Sequence, residues 1–134
     1  MTTQDILNLY GIEMLNRIHS ANLDGSKVYD KQFLGGGQMD PFFDLSYNEP
    51  STINEDVLSK VDHILNGNNP PLNYIDCQLG GKSVMPILYS DVIRFHNPYT
   101  GVILQTVPLS DFKIIAEAWR DFLLQPPLIG TSVL

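Results

Sequence analysis

The stretch DVIRFHNPYTGVILQTVPLSDFKIIAEAWRDFLLQ, residues 91–125, decides the fold. Val92-Ile93-Arg94-Phe95 and Val102-Ile103-Leu104-Gln105-Thr106-Val107 are rich in β-branched and aromatic residues, which favour extended chain. Between them, Asn97-Pro98-Tyr99-Thr100-Gly101 supplies turn chemistry, because proline pre-sets φ and glycine admits φ > 0. A β-hairpin is therefore expected. Pro108 denies the ladder a donor, Ser110 is placed to cap a helix, and Asp111 puts negative charge in the first turn, where the helix dipole favours it. Phe112, Ile115, Ala116, Trp119, Phe122 and Leu123 fall on one stripe at helical spacing, with Lys113, Glu117, Arg120 and Asp121 opposite. Trp119 on that stripe reads as core, and Pro126-Pro127 stops the helix.

The rest of the chain reads as cover for this unit. Its 134 residues, 43% of them hydrophobic, suit one globular domain with a real core. The single cysteine, Cys77, allows no internal disulfide, and neither a secretory signal nor a run of 18 apolar residues stands out, so a reducing cytoplasm without membrane contact is expected. Fifteen acidic residues against eight basic ones give a net charge of −7. Such a surface repels nucleic acid and anionic lipid and attracts basic partners, although solubility alone also accounts for acidity.

In chain order, Thr3 to His19 is expected to form a helix capped by Thr2 or Thr3, with Leu7, Tyr10, Met14, Leu15 and Ile18 buried and Gly11 marking a close approach. A turn over Ala21 to Ser26 leads to a short strand, Val28 to Phe33. Gly35-Gly36-Gly37 follows, with neither the lysine nor the helix signal that a phosphate cradle needs, so a mobile loop is the default. Ser51 to Asn66 reads as the second helix, with Thr52 and Glu55 as a capping box and Gly67 ending it. Leu72 to Leu79 is a candidate strand, and Val84 to Tyr89 returns as an apolar extended segment. The expectation is a single α+β domain: an antiparallel sheet built on the 91–107 hairpin, with Tyr74 to Leu79 as neighbour, covered by helices 3–19, 52–66 and 111–125. The tail 128–134 is expected to be loose.

No catalytic constellation emerges. Gly81-Lys82-Ser83 looks like the end of a P-loop, but Asp76 stands where the first glycine should, and Val84-Met85-Pro86 cannot start the required helix. His19, His63 and His96 lack partners at zinc-ligand spacing, and no nucleophile pairs with His96, which reads as a strand-end residue facing water. Cys77 reads as a small buried hydrophobe. The Glu55-Asp56 pair is a solvated helix start rather than a glycosidase acid pair. No catalytic residue, metal or cofactor is expected.

From Gly101 to Leu123 the chain resembles the C-terminal part of bacterial toxin-immunity proteins of the contact-dependent growth-inhibition and polymorphic-toxin type. The likeness rests on strand Val102 to Val107, Pro108, the Asp111-Phe112 pair and the helix end Trp119-Arg120-Asp121-Phe122-Leu123. It implies a small acidic cytoplasmic protein that binds and neutralises one cognate toxin, commonly a nuclease. The alternatives are an acidic secretion chaperone or regulatory binding subunit, and then a small enzyme.

An inhibitory surface should combine aromatic anchors with steering acids. Asp40, Phe42, Phe43, Asp44, Tyr47 and Glu49, in the loop 35–49, meet that description first, and Tyr99 at the hairpin tip second. The competing reading makes Phe42 and Phe43 the lid of the core.

Overall fold

The computed structural model describes residues 1–70 and 84–133. The fold is α+β, with two three-stranded antiparallel sheets instead of the single sheet expected. Helix α1 (Thr3–Leu9) precedes strands β1 (Glu13–Ala21) and β2 (Lys27–Leu34). Helix α2 begins as Met39–Pro41 and widens into a π-helical turn, Phe42–Ser46. Helix α3 runs through Pro50–Thr52, a second π-helical stretch at Ile53–Leu58, and Ser59–Leu65. Strands β3 (Met85–Leu88), β4 (Val92–His96) and β5 (Ile103–Pro108) lead into helix α4 (Leu109–Leu124), and β6 (Ser132–Val133) closes the chain.

The 91–125 unit forms as its residues dictate. β4 pairs with β5, and the ladder stops at Val92 opposite Pro108. The last ladder neighbour described on the other side of β4 is β3, paired from Met85 opposite His96 to Leu88 opposite Ile93. The candidate strand Leu72 to Leu79 lies outside the described residues, as do Cys77 and Gly81-Lys82-Ser83. α4 starts two residues earlier than expected, at Leu109, with Pro108 in the capping position and no side-chain cap from Ser110. Its stripe is the core face: Phe112, Ile115, Ala116 and Trp119 are fully buried.

The N-terminal reading needs correction. Thr2 caps α1 through a capping box with Asp5, but the helix ends at Leu9, and 13–21 is strand. Gly11 is the reason. It adopts φ +65, and the Gly11 and Ile12 amides donate to the carbonyls of Asn8 and Leu7 at 3.1 and 2.9 Å. That is a Schellman cap, with Ile12 as its buried apolar residue. Beyond it, Met14 to Ile18 sit on a strand, so Leu15 and Ile18 are exposed instead of buried. The close approach expected at Gly11 is not what requires a glycine there, since a Cβ on it would meet open space; the crowded glycine is Gly35, whose Cβ would strike the Gly11 carbonyl oxygen.

One hydrophobic cluster runs from Ile6 to Leu123. Its centre is aromatic: Phe33 meets Trp119 edge-on at 5.4 Å, and Phe42 and Phe43 both pack on Phe112, at 5.9 and 5.6 Å. Such contacts add to burial, which is worth about 1.5–3 kcal/mol for each large side chain. In α3, Val57, Leu58, Val61 and Ile64 face this cluster. Pro50 at the first position starts that helix, so the expected Thr52–Glu55 capping box is not formed; Thr52 Oγ1 donates to the Glu49 carbonyl instead. The tail is tied down as well. β6 pairs with β2, and the Gly130 amide donates to the Tyr29 carbonyl at 2.7 Å.

Candidate functional site

The loop 35–49 is built into the protein. Gly35, Gly36 and Gly37 all take positive φ, and polar side chains hold them in that shape. Asp40 Oδ2 accepts the Gly35 amide at 3.0 Å. Gln105 Oε1 accepts the Gln38 amide at 2.8 Å, and its Nε2 donates to the Gly36 carbonyl at 3.2 Å. These bonds join the glycine turn to β5, where a mobile loop had been expected.

The loop's aromatics are core. Phe42 and Phe43 are fully buried, Tyr47 is buried, and the Tyr47 carbonyl accepts the indole N–H of Trp119 at 2.9 Å. The π-helical turn allows this, as its Tyr47-to-Phe42 bond spans five residues and lets neighbouring positions share the inner face. Side chains so placed cannot anchor a partner. Asp44 is half-buried and accepts the Phe33 amide at 2.9 Å, which makes it a joint between α2 and β2. Of the six loop residues singled out, Glu49 alone is exposed. Tyr99 is 96% exposed, and its amide donates to Asn97 Oδ1 at 2.8 Å in the hairpin turn.

Open grooves mark the surface of the described residues, and three of them bear on function. One, of about 420 Å³, lies between the start of α3 and the C-terminal tail and is lined by Asn48, Glu49, Pro50, Leu123, Leu124, Leu128 and Ile129. Leu124, Leu128 and Ile129 stay exposed there, so an acid stands beside apolar surface. Sequence reasoning chose Glu49 but missed Leu128 and Ile129, because a proline-rich tail carries no periodic signal. A second groove, of about 430 Å³ between α1 and α4, is lined by Leu7, Ile12, Met14 and Phe122 together with Asn8, Glu13 and Asp121.

The third, of about 220 Å³, holds His19 and Asp30, but Asp30 is bound to Arg17 at 2.9 Å and no serine, threonine or cysteine lines it. Among the described residues no group of His, Cys, Asp and Glu is arranged to hold a metal, and no helix is long and apolar enough to cross a membrane. His96 does not face water as expected. It is buried, with Nδ1 3.0 Å from the Gly101 carbonyl, so Nδ1 carries the proton of that bond.

Charge is distributed unevenly. Lys31 is buried, with its Nζ donating to Asn16 Oδ1 at 2.7 Å and lying 4.2 Å from the Phe122 ring centre. Burial pushes its ammonium below the usual lysine range. Lys113 is taken up by Asp62 at 2.7 Å, which raises its affinity for the proton, and Arg120 by Asp121 at 3.0 Å. Glu49, Glu55 and Asp56 are exposed and form no ion pair among the described residues. Comparison with known protein families, curated proteins and solved structures finds no match for this chain.

Proposed function

We propose that this chain is an immunity protein that binds a cognate bacterial toxin, a basic nuclease, in the cytoplasm and neutralises it by association without chemistry of its own. The observation that carries the reading is Glu49, exposed in the apolar groove of Leu124, Leu128 and Ile129, with Glu55 and Asp56 exposed on α3 and all three acids in no ion pair among the described residues. A nuclease site attracts phosphates and is therefore positive, so an inhibitor gains association rate and specificity from clustered acids, and affinity from apolar surface next to them. The resemblance of 101–123 to immunity proteins points the same way. Its residues Phe112, Trp119 and Leu123 are core, so the likeness bears on the scaffold more than on the contact surface.

Co-expression with a toxin domain, where one is encoded beside this chain, is the test. Survival of the host is expected, whereas cell death despite soluble expression would sink the reading. A neighbouring secretion apparatus without a toxin domain would favour the chaperone instead.

A further inference from the structure

The groove of about 430 Å³ between α1, the start of β1 and the last turns of α4 has an apolar floor and two acids. Leu7, Met14 and Phe122 pack against the core yet stay only partly covered. Glu13, on β1, and Asp121, on α4, stand beside them and are exposed. Glu13 forms no ion pair among the described residues. Asp121 accepts Arg120 Nε at 3.0 Å through one oxygen, while Asn54 of α3 holds another nitrogen of that guanidinium. No described lysine, arginine or histidine lines the groove; Lys31, 4.2 Å from the Phe122 ring centre, is buried and is not part of the lining. α4 also ends here, at Gln125, with no basic residue in its last turn to offset the partial negative charge of a helix C-terminus. None of these walls is α3 or β3, the elements that border residues 71–83.

We propose that this groove docks a basic, apolar-tipped segment of a partner protein. A side chain of leucine or methionine size packs on Leu7, Met14 and Phe122, and a lysine or arginine reaches towards each of Glu13 and Asp121. Charge selects this occupant. The apolar floor alone would accept any hydrophobic group, but two acids and a helix C-terminus, with no cation in the lining, favour one that carries positive charge beside its apolar tip. The same charges repel the phosphates of nucleic acid and anionic lipid, and a second copy of net charge −7. Because the groove is open, it suits side chains presented by a larger partner better than a free small molecule, which needs enclosure. It shares no lining residue with the Glu49 groove, and the inference holds whether or not the partner is a toxin.

Titration of the full chain with the capped peptides Lys-Leu-Leu-Lys and Glu-Leu-Leu-Glu, followed by backbone amide NMR shifts at low ionic strength, tests it. With the basic peptide, saturable shifts centred on Asn8, Glu13, Met14, Asp121 and Phe122 are expected, fading as salt is added; the acidic peptide should cause none. Glu13→Lys and, as a second variant should that one misfold, Asp121→Lys should each weaken the basic peptide about threefold or more, because attraction becomes repulsion. Asp91→Lys, an exposed acid outside the groove, should leave its affinity unchanged, with circular dichroism confirming the fold of each variant. No shift at millimolar peptide would overturn the proposal, as would shifts that gather at the Glu49 groove, spread over all exposed acids or arise equally with the acidic peptide. So would an affinity that Glu13→Lys and Asp121→Lys leave unchanged, or groove shifts on dilution of the chain alone, which would put a second copy there.

Discussion

The indole Nε1 of Trp119 donates to the main-chain carbonyl of Tyr47 at 2.9 Å inside the core, joining α4 to the end of α2 across 72 positions of sequence. The ring also packs edge-on against Phe33 and stacks on Phe122 at 6.0 Å. One side chain thus fixes the π-helical turn, β2 and the helix together. Trp119→Phe keeps most of the apolar contact but loses the hydrogen bond and leaves space where the larger ring was. A loss of about 2–4 kcal/mol is expected in urea unfolding, combining the lost bond with an unfilled cavity. Native fluorescence of the wild type should be blue-shifted and resistant to iodide.

Gly35 and Gly25 separate backbone strain from steric contact. Both take positive φ, at +83 and +89, but a Cβ at Gly25 meets open space, whereas one at Gly35 would lie 2.0 Å from the Gly11 carbonyl oxygen. Backbone cannot step aside as a flexible side chain can. Gly25→Ala should cost about 1–2 kcal/mol, the price of a left-handed alanine. Gly35→Ala should cost at least about twice that or abolish folding, measured by thermal denaturation. Equal losses for the two variants would refute the close approach of the β2 end to the α1 cap.

Tyr10 Oη donates to Asp111 Oδ2 at 2.7 Å, bracing α1 against the first turn of α4. Burial, then this hydrogen bond and then the carboxylate's charge push the phenol up to about 12. The folded value exceeds the unfolded one, so the stabilisation is complete below about pH 10 and is lost as pH rises towards 12. In a spectrophotometric titration a tyrosinate step near pH 12 should vanish in Tyr10→Phe. That variant should also lose about 1 kcal/mol at neutral pH and show a flatter fall in stability above pH 10.

How far the sequence reveals this arrangement depends on the length of the signal. The 91–125 hairpin and helix are legible because period-2 and period-3.6 patterns persist over enough residues, with Pro108 and Pro126 as punctuation. At Glu13 to Ile18 the apolar residues fit either period, and the helix reading fails because Gly11 caps α1 with Ile12 behind it. The aromatics of 42–47 are equally ambiguous. Phe42 and Phe43 are adjacent and followed within four residues by Tyr47, too short a run to fix a period, and the π-helical turn brings all of them inward. Asp40 and Asp44 are invisible as structural groups for another reason: their partners, the Gly35 and Phe33 amides, precede them along a turn whose shape the side chains themselves determine.

That difference divides the acids of the loop into two kinds with opposite expected behaviour. Asp44 holds the Phe33 amide and Asp40 the Gly35 amide, so reversing their charge breaks the folded loop before it reports on any partner. Asp44→Lys is expected to cost about 1–3 kcal/mol, the penalty for stranding a partly buried amide, visible as a lowered melting temperature. Glu49 has no such bond among the described residues, so Glu49→Lys should leave the melting temperature nearly unchanged. If the surface beside α3 receives a basic toxin, Glu49→Lys should slow association severalfold at low salt and progressively less as salt screens the charge. Leu128→Asp, in the same groove, should instead speed dissociation, because it removes apolar contact rather than steering. Stopped-flow association rates set beside melting curves for the three variants separate these effects. A Glu49→Lys variant with wild-type association at every ionic strength would place the toxin on another face of the molecule.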